Sequence, residues 1–202
     1  RHVTSISKAN ALPFGMVLWD NVFAGVAEQY PDVQTRRLNV DAAAMFLVNR
    51  PADIDVLVAG NLFGDILSDE AAAIAGGIGL APGGNVNLDR SAPSMFEPIH
   101  GSAPDIAGKG IANPVAAILA AAMLLRHLGS NPAVSTVGAG ASDPTTTSAA
   151  HAADAIQRAV AQVLREGRVC TPDLGGSATT AEVGDAVCGL VRQPATAGPY
   201  RS

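Results

Sequence analysis

The run Asp55-Val56-Leu57-Val58-Ala59 is apolar after its first residue and leads, within three residues, into a helical pattern from Leu62 to Ala75. A strand with consecutive apolar side chains needs cover on both faces, as in a parallel sheet lying between helices. The same alternation recurs on the N-terminal side. His2 to Ser7 reads as a strand anchored by Val3 and Ile6. Met16 to Tyr30 reads as a helix, with Val17, Leu18, Val22, Val26 and Tyr30 at three- and four-residue spacing, stopped by Pro31 and Asp32. Thr35 to Val40 is a second strand, and Asp41 opens a short helix through Val48.

Gly76 and Gly77 close the helix that follows the third strand. Residues 78 to 96 read as loop, with turn signals at Pro82-Gly83-Gly84, and the expected break in the chain lies near residues 76–96. Pro114 stands at a helix start, and the helix Val115 to Leu128 ends at Gly129. Residues 130–147 read as a surface loop, with Val134 to Val137 a short-strand candidate. Ser148 to Glu166 is expected to be helical, with Ala152, Ile156, Val160 and Val163 on one face. Thr180 to Val191 is the last helix, with Thr180 as candidate cap, and the tail from Gln193 is expected to fray. The fold class is α/β.

Composition narrows the function classes. With 48% hydrophobic and 15% charged residues among 202, the chain can bury enough surface to offset its ordering entropy, so disorder is excluded. A net charge of −5 and scattered Lys and Arg argue against a nucleic-acid partner. The longest apolar run, Val115 to Leu125, is too short to cross a bilayer, so no membrane partner is expected. Cys170 and Cys188 offer neither a CxxC pair nor a disulfide framework, and no secretory signal opens the chain; a reducing, cytoplasmic location is the expectation. The chain starts at Arg1, without Met, on residues that read as a buried strand. It reads as a piece of something longer.

Asn61-Leu62-Phe63-Gly64-Asp65-Ile66-Leu67-Ser68-Asp69 is the sharpest chemical feature. A helix puts Asp65 and Asp69, four residues apart, on one face, just past a strand's C-terminal end, where open α/β sheets place ligands. First-turn acids also compensate a helix dipole. Against that reading, two carboxylates at this spacing repel unless a cation sits between them, and hard oxygen donors suit Mg²⁺ or Mn²⁺. Asp41 holds a similar position, where a capping role is the commoner one. Lys8 ends a strand and is ordinarily solvated; a nearby cation would make it a proton acceptor.

Glu97 to Pro114 (EPIHGSAPDIAGKGIANP) reads as a long Gly-punctuated loop entering a helix, a shape that presents backbone N–H groups to phosphate. It lacks the spacing of a P-loop. Gly77-Ile78-Gly79 is no dinucleotide fingerprint, because Pro82 replaces the third glycine, and no G-x-S-x-G elbow is present. His100 alone is as compatible with a core position as with a ligand contact.

The segments NLFGDILSDEAA and EPIHGSAPDIAGKGIANP closely resemble the β-decarboxylating dehydrogenases: the isopropylmalate, isocitrate, homoisocitrate and tartrate/D-malate enzymes. Lys8-Ala9-Asn10, Tyr30-Pro31-Asp32-Val33, Val40-Asp41-Ala42 and Thr171-Pro172-Asp173-Leu174-Gly175-Gly176 extend the match to about residue 192. The resemblance implies an isopropylmalate-dehydrogenase-like three-layer α/β/α fold, distinct from the Rossmann fold and incomplete at the N-terminus. Residues 1–75 would belong to a second domain that carries the dimer contact and metal site. Residues 76–194 would be the returning part of a first, cofactor-binding domain, and 195–202 a flexible tail.

The activity so implied is NAD⁺-dependent oxidation and decarboxylation of a (2R)-hydroxy diacid, of 3-isopropylmalate or tartrate/D-malate type. Lys8 and Asp41 match catalytic positions, and Asp41, Asp65 and Asp69 match the ligands of Mg²⁺ or Mn²⁺. In the family Lys8 and Asp41 serve, across a homodimer interface, a site whose Asp65 and Asp69 belong to the other subunit. Glu97, His100, Gly101, Ser102, Ala103, Asp105, Ile106 and Asn113 match the cofactor-binding set. Asp105 suits ribose hydroxyls and would repel a 2′-phosphate, which favours NAD⁺ over NADP⁺.

Ala11 stands where isopropylmalate enzymes typically carry Val. The segments Gly15 to Asp20 and Ala81 to Phe96 look more like the tartrate/D-malate branch. The family's catalytic Tyr and carboxylate-binding Arg residues lie upstream of the segment matching Arg1. The isolated chain is therefore expected to be inactive, and the alternative reading is a truncated, catalytically silent assembly partner.

Overall fold

The computed structural model describes residues 2–130 and 144–192. The chain divides into two compact units, Arg1–Ala75 and Gly76–Ser202. The short-strand candidate at Val134 to Val137 and the tail from Gln193 lie outside the described residues.

The first unit is a parallel sheet with helices. Strand β1 (His2–Ser7) is central, flanked by β2 (Gln34–Asn39) and β3 (Val56–Val58), in the order β2-β1-β3. Val3 aligns with Thr35 on one side and Val56 on the other. Helices α1 (Gly15–Ala27), α2 (Val40–Asn49) and α3 (Asn61–Ile74) follow the three strands in turn. Ile6, Ala43, Leu47 and Leu67 form the core, with Phe63, Ala71, Leu38 and Leu57 packed around it. Ala43, fully buried on α2, lets the helix approach closely.

Polar side chains also hold this sheet. Thr4 and Ser5 of β1 are fully buried, and such hydroxyls cost free energy unless hydrogen-bonded. Arg36 Nε donates to Thr4 Oγ1 at 2.9 Å, and its Nη2 donates to the Asp53 carbonyl at 3.0 Å. Trp19 Nε1 donates to Ser5 Oγ at 2.9 Å, tying α1 to the central strand. Arg37 of β2 pairs with Asp20 of α1 at 3.3 Å.

Two expectations change in this unit. The third strand is three residues long rather than five, and as an edge strand it leaves Val56 44% exposed, so its apolar run is not covered on both faces here. Helix α1 ends at Ala27, short of the expected Tyr30, and buries no residue fully; Leu18, Val22 and Val26 on it and Tyr30 beyond it are exposed.

The second unit pairs β4 (Pro82–Asn85) antiparallel with β5 (Met95–Pro98), and packs α4 (Val115–Gly129), α5 (Pro144–Glu166) and α6 (Thr180–Val191) around one core. Val115, Ala159, Val160, Val163, Val183 and Val187 form that core. The sequence pattern placed the turn signal Pro82-Gly83-Gly84 in a loop, whereas these residues form a strand. A Cβ on Gly83 would come within 2.9 Å of Ile99 Cγ2, and on Gly84 within 3.0 Å of Phe96 Cδ1, so the glycines permit close approach rather than a turn. Glu97 is correspondingly a β5 residue, not a loop residue.

The cap of α6 is Thr179, not Thr180. Its hydroxyl accepts from the Glu182 amide, and the Glu182 carboxylate accepts from the Thr179 amide at 2.7 Å, closing a capping box. Among the described residues no helix is long and apolar enough to cross a membrane.

Candidate functional site

In the first unit the candidate residues sit at the C-terminal ends of the parallel strands. Ser7, the last residue of β1, aligns with Asn39, the last of β2. Lys8 and Asp41 follow directly, and Lys8 Nζ donates to Asp41 Oδ1 at 2.6 Å. Local hydrogen bonds fix the backbone at the lysine. The Lys8 carbonyl accepts from the amides of Ala11 and Leu12, and Ser7 Oγ accepts from the Ala9 amide at 3.2 Å.

Asp41 lies in the first turn of α2 and is not its cap, a position held by Asn39. Its carboxyl is held below the ordinary aspartate value, first by the hydrogen bond from Lys8, then by backbone amides of Asp41 and Ala42. The lysine side chain is mostly covered and the aspartate mostly exposed, so the pair is an open-faced one.

Asp65 and Asp69 project from successive turns of α3, both exposed. This agrees with the shared face that their spacing dictates. Among the described residues, no group of three or more His, Cys, Asp or Glu side chains stands close enough to hold a metal ion. The structure thus joins Lys8 to Asp41 and does not gather Asp41, Asp65 and Asp69 into one cluster within the chain.

In the second unit, residues 99–114 run from the end of β5 to α4 without a helix or strand. Backbone bonds from Ile106 to the Ala103 carbonyl and from Lys109 to the Ile106 carbonyl fold this loop into turns. Ala103 takes a left-handed φ of 45°, uncommon for a residue with a Cβ. Gly101, Ser102, Ala103 and Asp105 are exposed and Ile106 is half-buried. His100 Nδ1 is 3.0 Å from the Gly101 carbonyl, while its Nε2 is buried with no hydrogen-bond partner among the described residues. A buried ring nitrogen without a partner is costly, and marks a position that a ligand group can satisfy.

Asn113 ends the loop with its side chain committed. Oδ1 accepts from the Val115 amide at 3.0 Å, and Nδ2 donates to Asp173 Oδ2 at 2.9 Å. Thr180 adds two ties, from its amide to the Gly110 carbonyl at 2.8 Å and from its hydroxyl to the Ala112 carbonyl at 2.6 Å. Neither Asp173 nor Thr180 was marked as a site residue by the sequence pattern. The only signal was that Asp173 lies in the Thr171–Gly176 segment carrying the resemblance.

Comparison with known proteins bears on both regions. The isocitrate/isopropylmalate dehydrogenase family pattern matches residues 1–187. A 3-isopropylmalate dehydrogenase from Leifsonia xyli is 45% identical over 195 residues, covering 96% of this chain and 49% of the relative. A probable tartrate dehydrogenase/decarboxylase from Bacillus subtilis is 43% identical over 192 residues, covering 95% and 49%. Among solved structures, isocitrate dehydrogenase from Methylococcus capsulatus superposes with a TM-score of 0.82 at 42% identity, covering 96% of this chain and 51% of that one. The chain spans about half the length of these relatives. A match of this extent, reaching from β1 through the loop to α6, places the chain in the isocitrate/isopropylmalate dehydrogenase family.

Proposed function

We propose that the complete polypeptide carrying this chain is an NAD⁺- and divalent-metal-dependent dehydrogenase that oxidises and decarboxylates a (2R)-hydroxy diacid of 3-isopropylmalate or tartrate/D-malate type. The observation that carries the reading is the 2.6 Å contact between Lys8 and Asp41 at adjoining strand ends. It sets an amine and a carboxylate side by side at the edge where parallel α/β sheets hold ligands.

The donor set fits a hard cation. Asp65 and Asp69 supply exposed carboxylate oxygens one turn apart, the chemistry that Mg²⁺ and Mn²⁺ prefer. Asp41 would complete the set from the partner subunit of a homodimer. When bound, such a cation would supply Lewis-acid stabilisation of negative charge on the substrate oxygens. Lys8 would accept the hydroxyl proton only as the neutral amine, once Asp41 turns from the ion pair to the cation.

In the second unit the loop would hold the adenosine half of NAD⁺. Its buried, unpartnered His100 Nε2 and exposed Gly101, Ser102 and Ala103 suit a ligand lying along the backbone. Asp105 would accept from ribose hydroxyls, with Ile106, Asn113 and Glu97 completing the set. Residues 1–75 would form the metal and dimer domain, and 76–194 the returning part of the cofactor domain.

Met45 and Val48 on α2, and Leu62, Ile66 and Ile74 on α3, are exposed apolar side chains that suit a subunit contact. The same faces would serve a catalytically silent assembly partner, the second reading. An assay of NAD⁺ reduction by the complete polypeptide, with Mn²⁺ or with EDTA, on 3-isopropylmalate, D-malate and tartrate separates the two. Metal-dependent turnover of one diacid supports the enzyme; none with any diacid supports the silent partner.

A further inference from the structure

Three segments far apart in sequence converge where the loop of the second unit meets α4. Asp173, in a short 3-10 turn (Pro172–Leu174), accepts from Asn113 Nδ2 across a separation of 60 residues. Gly79 makes room for both, since a Cβ there would lie 2.9 Å from Asn113 Cβ and 2.9 Å from Asp173 Oδ2. The turn holding Asp173 is itself tightly built. The Thr171 carbonyl accepts from the amides of Leu174 and Gly176, and a Cβ on Gly176 would fall 2.0 Å from the Cys170 carbonyl oxygen.

We infer that Asp173 is a positioning residue for cofactor binding, acting through Asn113. An asparagine amide can face either way, and each orientation presents different groups to a ligand. With Oδ1 taken by the Val115 amide and one Nδ2 hydrogen taken by Asp173, only one orientation satisfies both partners. The remaining Nδ2 hydrogen and the Asn113 backbone are then held in one geometry before any nucleotide arrives. Preorganisation of this kind lowers the cost of binding without altering the chemical step. The inference rests on the proposed role of the loop in holding NAD⁺.

The test compares Asp173→Ala and Asp173→Asn in the complete polypeptide. Asn keeps an oxygen that can accept from Asn113, whereas Ala does not. In Asp173→Ala we expect KM for NAD⁺ to rise about tenfold, the scale of one lost hydrogen bond to a charged group, with kcat and the diacid KM within about twofold. Asp173→Asn should restore KM for NAD⁺ to near the parent value. Amide exchange at Val115 should quicken in Asp173→Ala alone, because a freed Asn113 amide no longer caps it.

An unchanged KM for NAD⁺ in Asp173→Ala overturns the inference. So does an Asp173→Asn protein as impaired as Asp173→Ala, since the carboxylate charge would then be acting directly. A parent protein that reduces no NAD⁺ on any hydroxy diacid strikes the proposed function instead. In that case unaltered Val115 exchange in Asp173→Ala would still refute the clamp.

Discussion

Lys8 Nζ lies 2.6 Å from Asp41 Oδ1, so the segments that leave two adjoining strands are linked by an ion pair just beyond the sheet. The lysine is the first cause of the lowered Asp41 pKa. A depressed carboxylate pKa means that the stabilisation is present above the unfolded value, and is lost as pH falls through the folded value. The pair should therefore survive at pH 5 and break only in more acidic solution, below the usual aspartate range. Carboxyl-carbon NMR titration should find the Asp41 midpoint below that of an ordinary aspartate. Lys8→Met should move it upward, and an unmoved midpoint would show that the backbone amides alone set it.

Asp65→Asn in the complete polypeptide should abolish Mn²⁺-dependent turnover while leaving the melting temperature nearly unchanged, because Asp65 is exposed on α3. Activity near that of the parent would reduce Asp65 and Asp69 to solvated residues on the exposed face of α3, with no metal role.

Asp105→Lys combined with Ile106→Tyr should shift the ratio of kcat/KM values from NAD⁺ towards NADP⁺, since a cation replaces a carboxylate that would repel a 2′-phosphate. Unchanged relative kcat/KM would remove Asp105 from the cofactor site.

Gly176→Ala should destabilise the second unit by about 3 kcal/mol, towards the upper end for extra volume forced into packed surroundings. The new Cβ would meet the Cys170 carbonyl oxygen at 2.0 Å, and rigid backbone has little room to yield. Thr179→Ala, which removes the hydroxyl of the α6 capping box, should cost about 1 kcal/mol. Chemical denaturation measures both. Equal midpoints for the two variants would show that the turn relaxes around the added methyl.

Where local chemistry decides an element, the residues alone were enough. β1 and α6 occupy their expected spans, and Asp65 and Asp69 share a helix face. Thr179 and Glu182 carry the Thr-x-x-Glu pattern of a capping box, so the cap too was legible, one residue earlier than expected. Pro82-Gly83-Gly84 misled because glycine marks both turns and close strand approach, and only the position of Ile99 and Phe96 distinguishes them. The 60-residue contact between Asn113 and Asp173 leaves no local trace in the chain. The same is true of Arg36 reaching Thr4, which depends on strand register rather than on pattern.

Those buried hydroxyls have a consequence for the amine at the strand's end. A slip of one residue between β1 and β2 would carry Lys8 about 3.3 Å along the sheet and turn its side chain to the opposite face. Apolar packing tolerates such slips poorly; a donor–acceptor match hardly tolerates them at all, and Arg36 meets Thr4 in one register only. Trp19 bolts Ser5 from α1 in the same way. The reach of Lys8 is thus gauged by two alcohols in the middle of its own strand. Replacing Thr4 by its near-isostere valine is therefore a way to mis-set a distant amine without touching it.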